Sequence, residues 1–138
     1  MKVVLDTNVL AVIVSRRSRY YPIWQSLRRG EFELLVTSDI LLEYDEILGG
    51  YLSPEVTQNV LGGLELLPNV TFVVKYFYWN LITHDPDDDK FVDCAVAGSV
   101  DFIVTDDGHF NVLRSIPFPK VHVLSSDEFL EMVLEGRL

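Results

Sequence analysis

Short apolar runs, each bounded by polar residues, recur five times along the chain and predict buried β-strands. The runs are continuous rather than alternating and are rich in Val, Ile and Leu, as is typical of strands covered on both faces. The predicted strands span residues 2–5, 33–37, 70–74, 101–105 and 120–124. The pattern therefore predicts a mostly parallel sheet of four or five strands.

Between these runs the apolar residues recur at helical spacing, so strand and helix alternate. The predicted helices span residues 9–15, 21–29, 39–48, 54–66, 88–98 and 127–135. Ser38 and Ser126 are suitable N-caps, and the glycine pairs at 49–50 and 62–63 suggest helix ends or breaks. Such alternation predicts an α/β fold with helices on both faces of the sheet. No repeat or linker interrupts residues 1–138, which we expect to form a single domain.

The composition is that of an ordinary globular protein, since 49% of the 138 residues are hydrophobic and 23% are charged. No apolar run reaches the roughly 18–20 residues that a membrane-spanning helix needs, and the N-terminus lacks a long apolar signal segment. The single cysteine, Cys94, excludes an internal disulfide and is expected to be a buried structural residue. We therefore expect a protein of the reducing cytoplasm that does not associate with membranes.

The charge of the chain is sorted along its length. The net charge of −10 normally argues against nucleic acid as a partner, because binding to nucleic acid depends on neutralising phosphates. Residues 15–30, however, contain five arginines and no acid, whereas residues 84–93 contain five aspartates and one lysine. The overall charge therefore does not exclude a basic surface beside an acidic one.

Acidic residues follow the predicted strands at the points where α/β proteins place their chemistry. Asp6 ends the first strand and Asp107 follows the fourth, while Asp88 or Asp89 opens the helix between them. Glu43 lies in a mainly apolar helix. Carboxylates that meet at one edge of a sheet repel one another, and a hard cation such as Mg²⁺ or Mn²⁺ relieves that repulsion. Such an ion also activates water and stabilises displacement at a phosphodiester.

Each acid has a structural interpretation that the residues leave open. Asp6, Asp88 and Asp89 are each suited to cap the following helix, because Asp is a favoured N-cap. The sequence Asp-Asp-Gly at 106–108 is suited to a turn, and Glu43 to a half-exposed position on its helix. Each acid taken singly could have only a capping, turn or surface role. We nevertheless expect that these acids together form one cation site.

Four segments follow one another along the chain: DTNVL at 6–10, TSDILLEY at 37–44, DPDDDKFVDCAVAG at 85–98 and IVTDDGHF at 103–110. In this order they resemble the motifs of the PIN domain family, metal-dependent ribonucleases that include the VapC-type toxins of bacterial toxin–antitoxin pairs. DTN alone is a weak signal, but four elements in order extend the resemblance over nearly the whole chain. The resemblance implies a three-layer α/β/α fold around a mostly parallel sheet.

The resemblance also implies that four acids bind Mg²⁺ or Mn²⁺ and form the catalytic site: Asp6, Glu43, Asp88 and Asp107. The third of these is ambiguous by one residue. The DPxD pattern selects Asp88, whereas the spacing back from Thr105 selects Asp89, and Asp93 is a further alternate.

Neighbouring polar residues receive supporting roles from the same resemblance. Three side chains are expected to orient the carboxylates or water: Thr7, Asn8 and Thr105. No histidine is required, so three residues are interpreted as structural or surface groups: His84, His109 and His122.

The function that the resemblance implies is hydrolysis of RNA phosphodiester bonds, with an antitoxin protein as partner and a homodimer as a further association. Three alternatives remain. A small aspartate-nucleophile phosphatase would usually have a second Asp where Asn8 stands. A phosphoacceptor signalling domain would have an acidic pair after its first strand, which is missing here. A PIN fold used only for binding would keep the same acids.

The arginine-rich stretch is our candidate for contacts to the RNA backbone. Arg16, Arg17 and Arg19 follow the helix that begins just after Asp6, so they can flank the same edge of the sheet. The neighbouring tyrosine pair at 20–21 is suited to stack on an unpaired base. The alternative is a solvated helix end that the arginines keep soluble.

Overall fold

A parallel five-stranded sheet forms the centre of the fold. It is seen in a computed structural model that describes residues 1–75, 77–82 and 85–138. Every pair of neighbouring strands runs parallel, in the order β3-β2-β1-β4-β5. The strands are β1 Lys2–Leu5, β2 Glu33–Val36, β3 Val70–Phe72, β4 Phe102–Val104 and β5 Val123–Leu124. The expected α/β fold with a parallel sheet is confirmed.

Helices connect the strands in the described parts of the chain. The α-helices are α1 Thr7–Ile13, α2 Tyr21–Arg28, α3 Ser38–Tyr51, α4 Pro54–Leu66, α5 Asp89–Ala97 and α6 Ser126–Leu134. Two 3₁₀ helices, Pro86–Asp88 and Gly108–Ser115, precede α5 and follow β4. Helices α6, α2, α1, α3 and α4 pack side by side in that order, and α5 packs on β1, β2 and β4.

The central strand is covered on both faces. Val3, Val4 and Leu5 are all fully buried. Because successive side chains of a strand point to opposite faces, burial of all three requires packing on each side of the sheet. The continuous apolar run at the start of the chain is therefore the expected mark of a central parallel strand.

The helix ends differ from the expected ones by short distances. Gly49 and Gly50 lie in the last turn of α3, which ends at Tyr51, as expected for a helix end. Gly62 and Gly63 lie inside α4, so the expectation of a helix end or break there was wrong. The caps of α3 and α6 are Thr37 and Ser125, each one residue earlier than expected. Ser125 and Glu128 form a reciprocal capping box, which satisfies two backbone donors at once.

The aromatic side chains of residues 77–79 differ in exposure. Phe77 and Tyr78 are each 71% exposed. Trp79 is half-buried and packs edge to face on Phe118. Tyr76 lies outside the described residues.

The structure bears on two expectations from the composition, one about Cys94 and one about membrane-spanning helices. Cys94 is fully buried on α5, and burial raises the pKa of its thiol to about 12, so the group stays protonated as a structural residue would. Among the described residues no helix is both long enough and apolar enough to span a bilayer.

Candidate functional site

The carboxyl ends of β1 and β4 bring the first acids together. These strands are neighbours, with Leu5 opposite Val104 in the register. Asp6 and Thr105 are the next residues of each strand, and the amide of Asp6 donates a 3.0 Å hydrogen bond to the carbonyl of Val104. Polar groups from distant parts of the sequence therefore lie side by side at this edge of the sheet.

Asp6 occupies the N-cap position of α1 but does not cap the helix with its side chain. Its Oδ2 instead accepts a 2.7 Å hydrogen bond from the hydroxyl of Thr105. Asp6 is only 5% exposed, and burial raises the pKa of its carboxyl, with repulsion from Asp107 and Glu43 adding to the rise. The capping alternative therefore does not account for this side chain.

Asp88 is the most perturbed acid at this edge. Burial, followed by repulsion from Asp85, Asp107 and Asp6, raises the pKa of Asp88 to about 7. Its Oδ2 is fully buried and accepts no hydrogen bond from any group in the described parts of the chain. A buried carboxylate oxygen without a donor carries a large desolvation cost, which a proton or a metal ion would remove.

Asp106 and Asp107, which follow β4, bind different parts of the structure. The Oδ1 atom of Asp107 accepts the amide of His109 at 2.9 Å, and the amide of Asp107 donates to the Thr105 hydroxyl at 3.0 Å. Asp106 turns to α6, where both the amide and the hydroxyl of Ser126 donate to its carboxylate. Asp107 thus shapes the turn and also faces Asp6 and Asp88, while Asp106 anchors a helix.

Glu43 reaches the site from α3, which a buried contact positions. The Tyr44 hydroxyl donates a 2.6 Å hydrogen bond to the carbonyl of Leu5, the last residue of β1. Both carboxylate oxygens of Glu43 have donors, since the Thr7 hydroxyl binds Oε2 and the Lys90 ammonium lies 2.8 Å from Oε1. Lys90, which the sequence reasoning missed, is therefore a positive charge inside an acidic edge.

Asp89 and Asp93, the alternate candidates for the third metal ligand, bind backbone amides instead. Asp89 accepts the amide of Ile82 at 2.9 Å through Oδ1, and Asp93 accepts the amide of Trp79 at 3.0 Å. Both carboxylates therefore hold the segment 77–82 against α5. Buried acids in this role satisfy backbone donors and need no cation.

His109 lies against the carboxylates, which the sequence reasoning did not anticipate. Its Nδ1 atom is 3.5 Å from Oδ1 of Asp107 and 3.9 Å from Oδ2 of Asp88. The sequence signal for this position was that His109 follows Asp107 by only two residues. His122 is exposed before β5, at the opposite edge of the sheet, and His84 lies outside the described residues.

The other expected residues lie at the surface around α1 and α2. Asn8, Arg16 and Arg17 are exposed. Arg19 pairs with Asp127 of α6 and lies over the ring of Tyr20, whose hydroxyl also donates to Asp127 at 2.8 Å. Of the three arginines proposed to contact RNA, Arg19 therefore already has an acidic partner.

Comparison with known proteins identifies a family and shows similarity to solved structures. The PIN domain family model matches residues 2–109, a range that includes every acid described at the carboxyl edge of the sheet. No curated protein sequence matches the chain. The chain is similar to one chain in the crystal structure of VapBC2 from Rickettsia felis bound to a DNA fragment from their promoter. The TM-score is 0.63 and the identity 16%, over 91% of this chain and 98% of that chain, which is a likeness of fold.

Proposed function

The chain belongs to the PIN domain family, and from this premise we propose that it is a metal-dependent endoribonuclease. Its reaction is hydrolysis of RNA phosphodiester bonds, and its biological role is that of the toxin in a toxin–antitoxin pair. One observation supports the nuclease most directly. Asp107 repels both Asp6 and Asp88 at the carboxyl edge of the sheet, and a buried oxygen of Asp88 accepts no hydrogen bond from the described residues.

These residues fit a divalent cation. The unsatisfied oxygen of Asp88 is a hard ligand, and Asp6 and Asp107 lie near enough to repel it. Mg²⁺ and Mn²⁺ both prefer oxygen ligands, and Mg²⁺ keeps several waters. We therefore assign Asp6, Asp88 and Asp107 as direct ligands, with Glu43 at the margin of the site.

The choice of Asp88 over its neighbours is part of the proposal. Asp89 and Asp93 already accept backbone amides at 2.9 and 3.0 Å, respectively. Withdrawing either carboxylate to bind a cation would leave a backbone donor without its partner, which costs roughly 1–3 kcal/mol. Oδ2 of Asp88 accepts no hydrogen bond from the described residues, so binding a cation there breaks none.

The supporting residues hold the carboxylates of Asp6 and Glu43 in position. The Thr105 hydroxyl donates to Asp6, which lowers the pKa that burial raises. The ammonium of Lys90 and the hydroxyl of Thr7 orient Glu43. A bound Mg²⁺ or Mn²⁺ supplies activation of water and neutralisation of charge at the phosphodiester. Lys90 adds a fixed positive charge where the anionic substrate approaches.

RNA binding is proposed to use the exposed arginines before α2. Arg16 and Arg17 are exposed. In this proposal they contact the phosphates of the RNA backbone, which does not depend on the RNA sequence. Arg19 contributes less, because its guanidinium is paired with Asp127.

An antitoxin is the proposed protein partner. The similar solved structure holds VapBC2, and by analogy a small protein encoded beside this one would cover the acidic edge, with an Arg or Lys reaching the carboxylates. Homodimerisation is proposed as well. The same role places the protein in the cytoplasm, where its RNA substrate is found. Co-purification with that neighbouring protein tests the pairing.

The decisive experiment measures RNA cleavage and thermal stability together. Mn²⁺ that binds only the folded state stabilises it by about 2.7 kcal/mol at a hundredfold excess over Kd, so Tm should rise and fall back with chelator. Asp6→Asn and Asp107→Asn should abolish cleavage and reduce the Mn²⁺-induced rise in Tm. Asp101→Asn is the matched control, because Asp101 lies at the opposite end of β4 and accepts the amide of Lys2.

Two results would contradict the proposal. If Asp6→Asn cleaves RNA as well as wild type, Asp6 is not part of the catalytic site. If beryllofluoride stabilises the protein in the absence of RNA cleavage, a phosphatase or a phosphoacceptor domain is the better description.

A further inference from the structure

A histidine and two aspartates come together beside the proposed nuclease site. One ligand atom from each of Asp85, Asp88 and His109 can be chosen so that all three lie within 4.8 Å of one another. Asp85 and Asp88 come from the start and the end of the 3₁₀ helix Pro86–Asp88, and His109 from the 3₁₀ helix after β4. Two separate segments therefore bring three possible ligand atoms close enough together to bind one ion.

The second observation is the state of Asp88 itself. This residue is only 9% exposed, and its Oδ2 is the atom without a hydrogen-bond donor among the described residues. That same atom is 3.9 Å from Nδ1 of His109. The distance is too long for a hydrogen bond, but it suits two groups that share a cation at about 2.0–2.2 Å from each.

The remaining members are held in place and can be reached. Oδ1 of Asp85 accepts the amide of Asp87 at 3.1 Å, which fixes the carboxylate at the start of its helix. The side chain of His109 is 49% exposed, so an ion can enter from solvent. The cluster thus combines a buried oxygen, a fixed oxygen and an accessible imidazole.

We propose that Asp85, Asp88 and His109 form a nitrogen-containing cation site that takes borderline ions such as Co²⁺, Ni²⁺ or Zn²⁺ in preference to Mg²⁺. Imidazole is a good ligand for these ions and a poor one for Mg²⁺, which favours an all-oxygen shell. The inference rests on the proposed function, since Asp88 is shared with the nuclease site and Oδ1 of Asp107, a second proposed nuclease ligand, lies 3.5 Å from Nδ1 of His109. It goes beyond that function, because the nuclease needs no nitrogen ligand.

Isothermal titration calorimetry of the tag-free chain at pH 8 tests the proposal with NiCl₂ and MgCl₂. His109→Ala should weaken Ni²⁺ binding at least tenfold and change Mg²⁺ binding less than twofold. His122→Ala is the matched control, because His122 is an exposed histidine at the opposite edge of the sheet, and it should change neither affinity. Asp85→Asn should weaken Ni²⁺ binding as well.

A measurement on the wild-type chain keeps the test independent of variant folding. On addition of Zn²⁺, the Nδ1 signal of His109 in a long-range ¹H–¹⁵N spectrum should shift to the range of a coordinated nitrogen. An unshifted signal would overturn the proposal. So would equal Ni²⁺ affinity in wild type and His109→Ala, or an equal loss in His122→Ala.

The outcomes separate this site from the nuclease. If Mn²⁺ raises the Tm of wild type but not of Asp6→Asn, while His109→Ala leaves Ni²⁺ binding unchanged, only the nitrogen-containing site fails. If His109→Ala weakens Ni²⁺ binding and RNA is never cleaved, only the proposed function fails.

Discussion

The hydroxyl of Thr105 donates a 2.7 Å hydrogen bond to the carboxylate of Asp6, although 98 residues separate the two in sequence. The bond joins the carboxyl ends of β1 and β4. It also explains why Asp6 sits at the N-cap of α1 without capping it, because its Oδ2 is already bound elsewhere. Sheet geometry, and not the local helix, therefore sets the direction of this side chain.

Removing that hydroxyl should weaken both folding and metal binding. Thr105→Val deprives the buried carboxylate of Asp6 of a charge-assisted bond and the amide of Asp107 of its acceptor. We expect a loss of about 1.5–3 kcal/mol in the free energy of unfolding at pH 8, measured with urea, and weaker Mn²⁺ binding in calorimetry. Thr105→Ser keeps the hydroxyl and should retain the Mn²⁺ affinity; an affinity loss as large as that of Thr105→Val would show that the methyl group matters instead.

The raised pKa of Asp88 makes the metal-free protein less stable as pH rises. Between the unfolded pKa of about 3.8 and the folded pKa of about 7, the folded chain holds a proton that the unfolded chain releases. The free energy of unfolding should therefore fall by about 2 kcal/mol between pH 5.5 and pH 7.5 in the presence of chelator.

The comparison with Asp88→Asn isolates this contribution. That variant cannot titrate at residue 88, so its stability should change less over the same interval in urea unfolding. Asp101→Asn, at the other end of β4, should behave as wild type. A fall in Asp88→Asn equal to that of wild type would assign the pH dependence to other groups.

Lys90 pairs with Glu43, a carboxylate at the margin of the proposed metal site. The ammonium lies 2.8 Å from Oε1, and both side chains are largely buried, with exposures of 19% and 22%. Lys90→Met removes a positive charge from the acidic edge while keeping an apolar stem of similar length. We expect Mn²⁺ to bind at least threefold more tightly, roughly 0.7 kcal/mol, in calorimetry.

Two results frame the interpretation of that change. Lys90→Arg preserves the charge and should leave Mn²⁺ affinity near that of wild type. Unchanged or weaker binding in Lys90→Met would mean that the ammonium helps to shape the site more than it opposes the ion.

Charge reversal at Arg16 and Arg17 should weaken RNA binding alike for different sequences. Both residues are exposed, and each phosphate contact contributes about 0.7 to the slope of log K against log salt on a single strand. The double variant with Glu at both positions should bind at least tenfold more weakly, with a flatter salt slope. Filter binding in chelator measures this without cleavage.

Arg19 provides the internal comparison for that experiment. Because its guanidinium already pairs with Asp127, Arg19→Ala should reduce RNA binding less than either reversal. Mn²⁺ binding should stay the same in all of these variants. An unchanged salt slope in the double variant would show that RNA approaches by another face.

Alanine substitutions at Gly62 and Gly98 should change the free energy of unfolding in opposite directions. A Cβ at Gly62 in the middle of α4 would meet nothing within 4 Å in the described chain, so Gly62→Ala should stabilise by about 0.5–1 kcal/mol. A Cβ at Gly98 would lie 2.1 Å from Cδ2 of the buried Leu35, so Gly98→Ala should destabilise by about 1–3 kcal/mol. Urea unfolding compares them; destabilisation by both would contradict the helical path through residues 62–63.

The sequence by itself determined the alternation of strand and helix, because hydrophobic period and length are local properties of the chain. The run from Val3 to Leu5 was enough to identify a strand buried on both faces, and its bounds agree with the structure. The four acidic segments were identified by their resemblance to the motifs of the PIN domain family. The glycine pair at 62–63 was misread, since two glycines weaken a helix without ending it when the rest of α4 packs.

The tertiary structure alone decided where each acid points. Asp88 and Asp89 are adjacent in sequence, yet one faces Asp6 and Asp107 while the other binds the amide of Ile82. Nor does any local pattern indicate that Lys90 would reach Glu43 from 47 residues away. The direction of a side chain depends on which elements pack against it, and that depends on strand order and on the ends of helices brought together from distant parts of the chain.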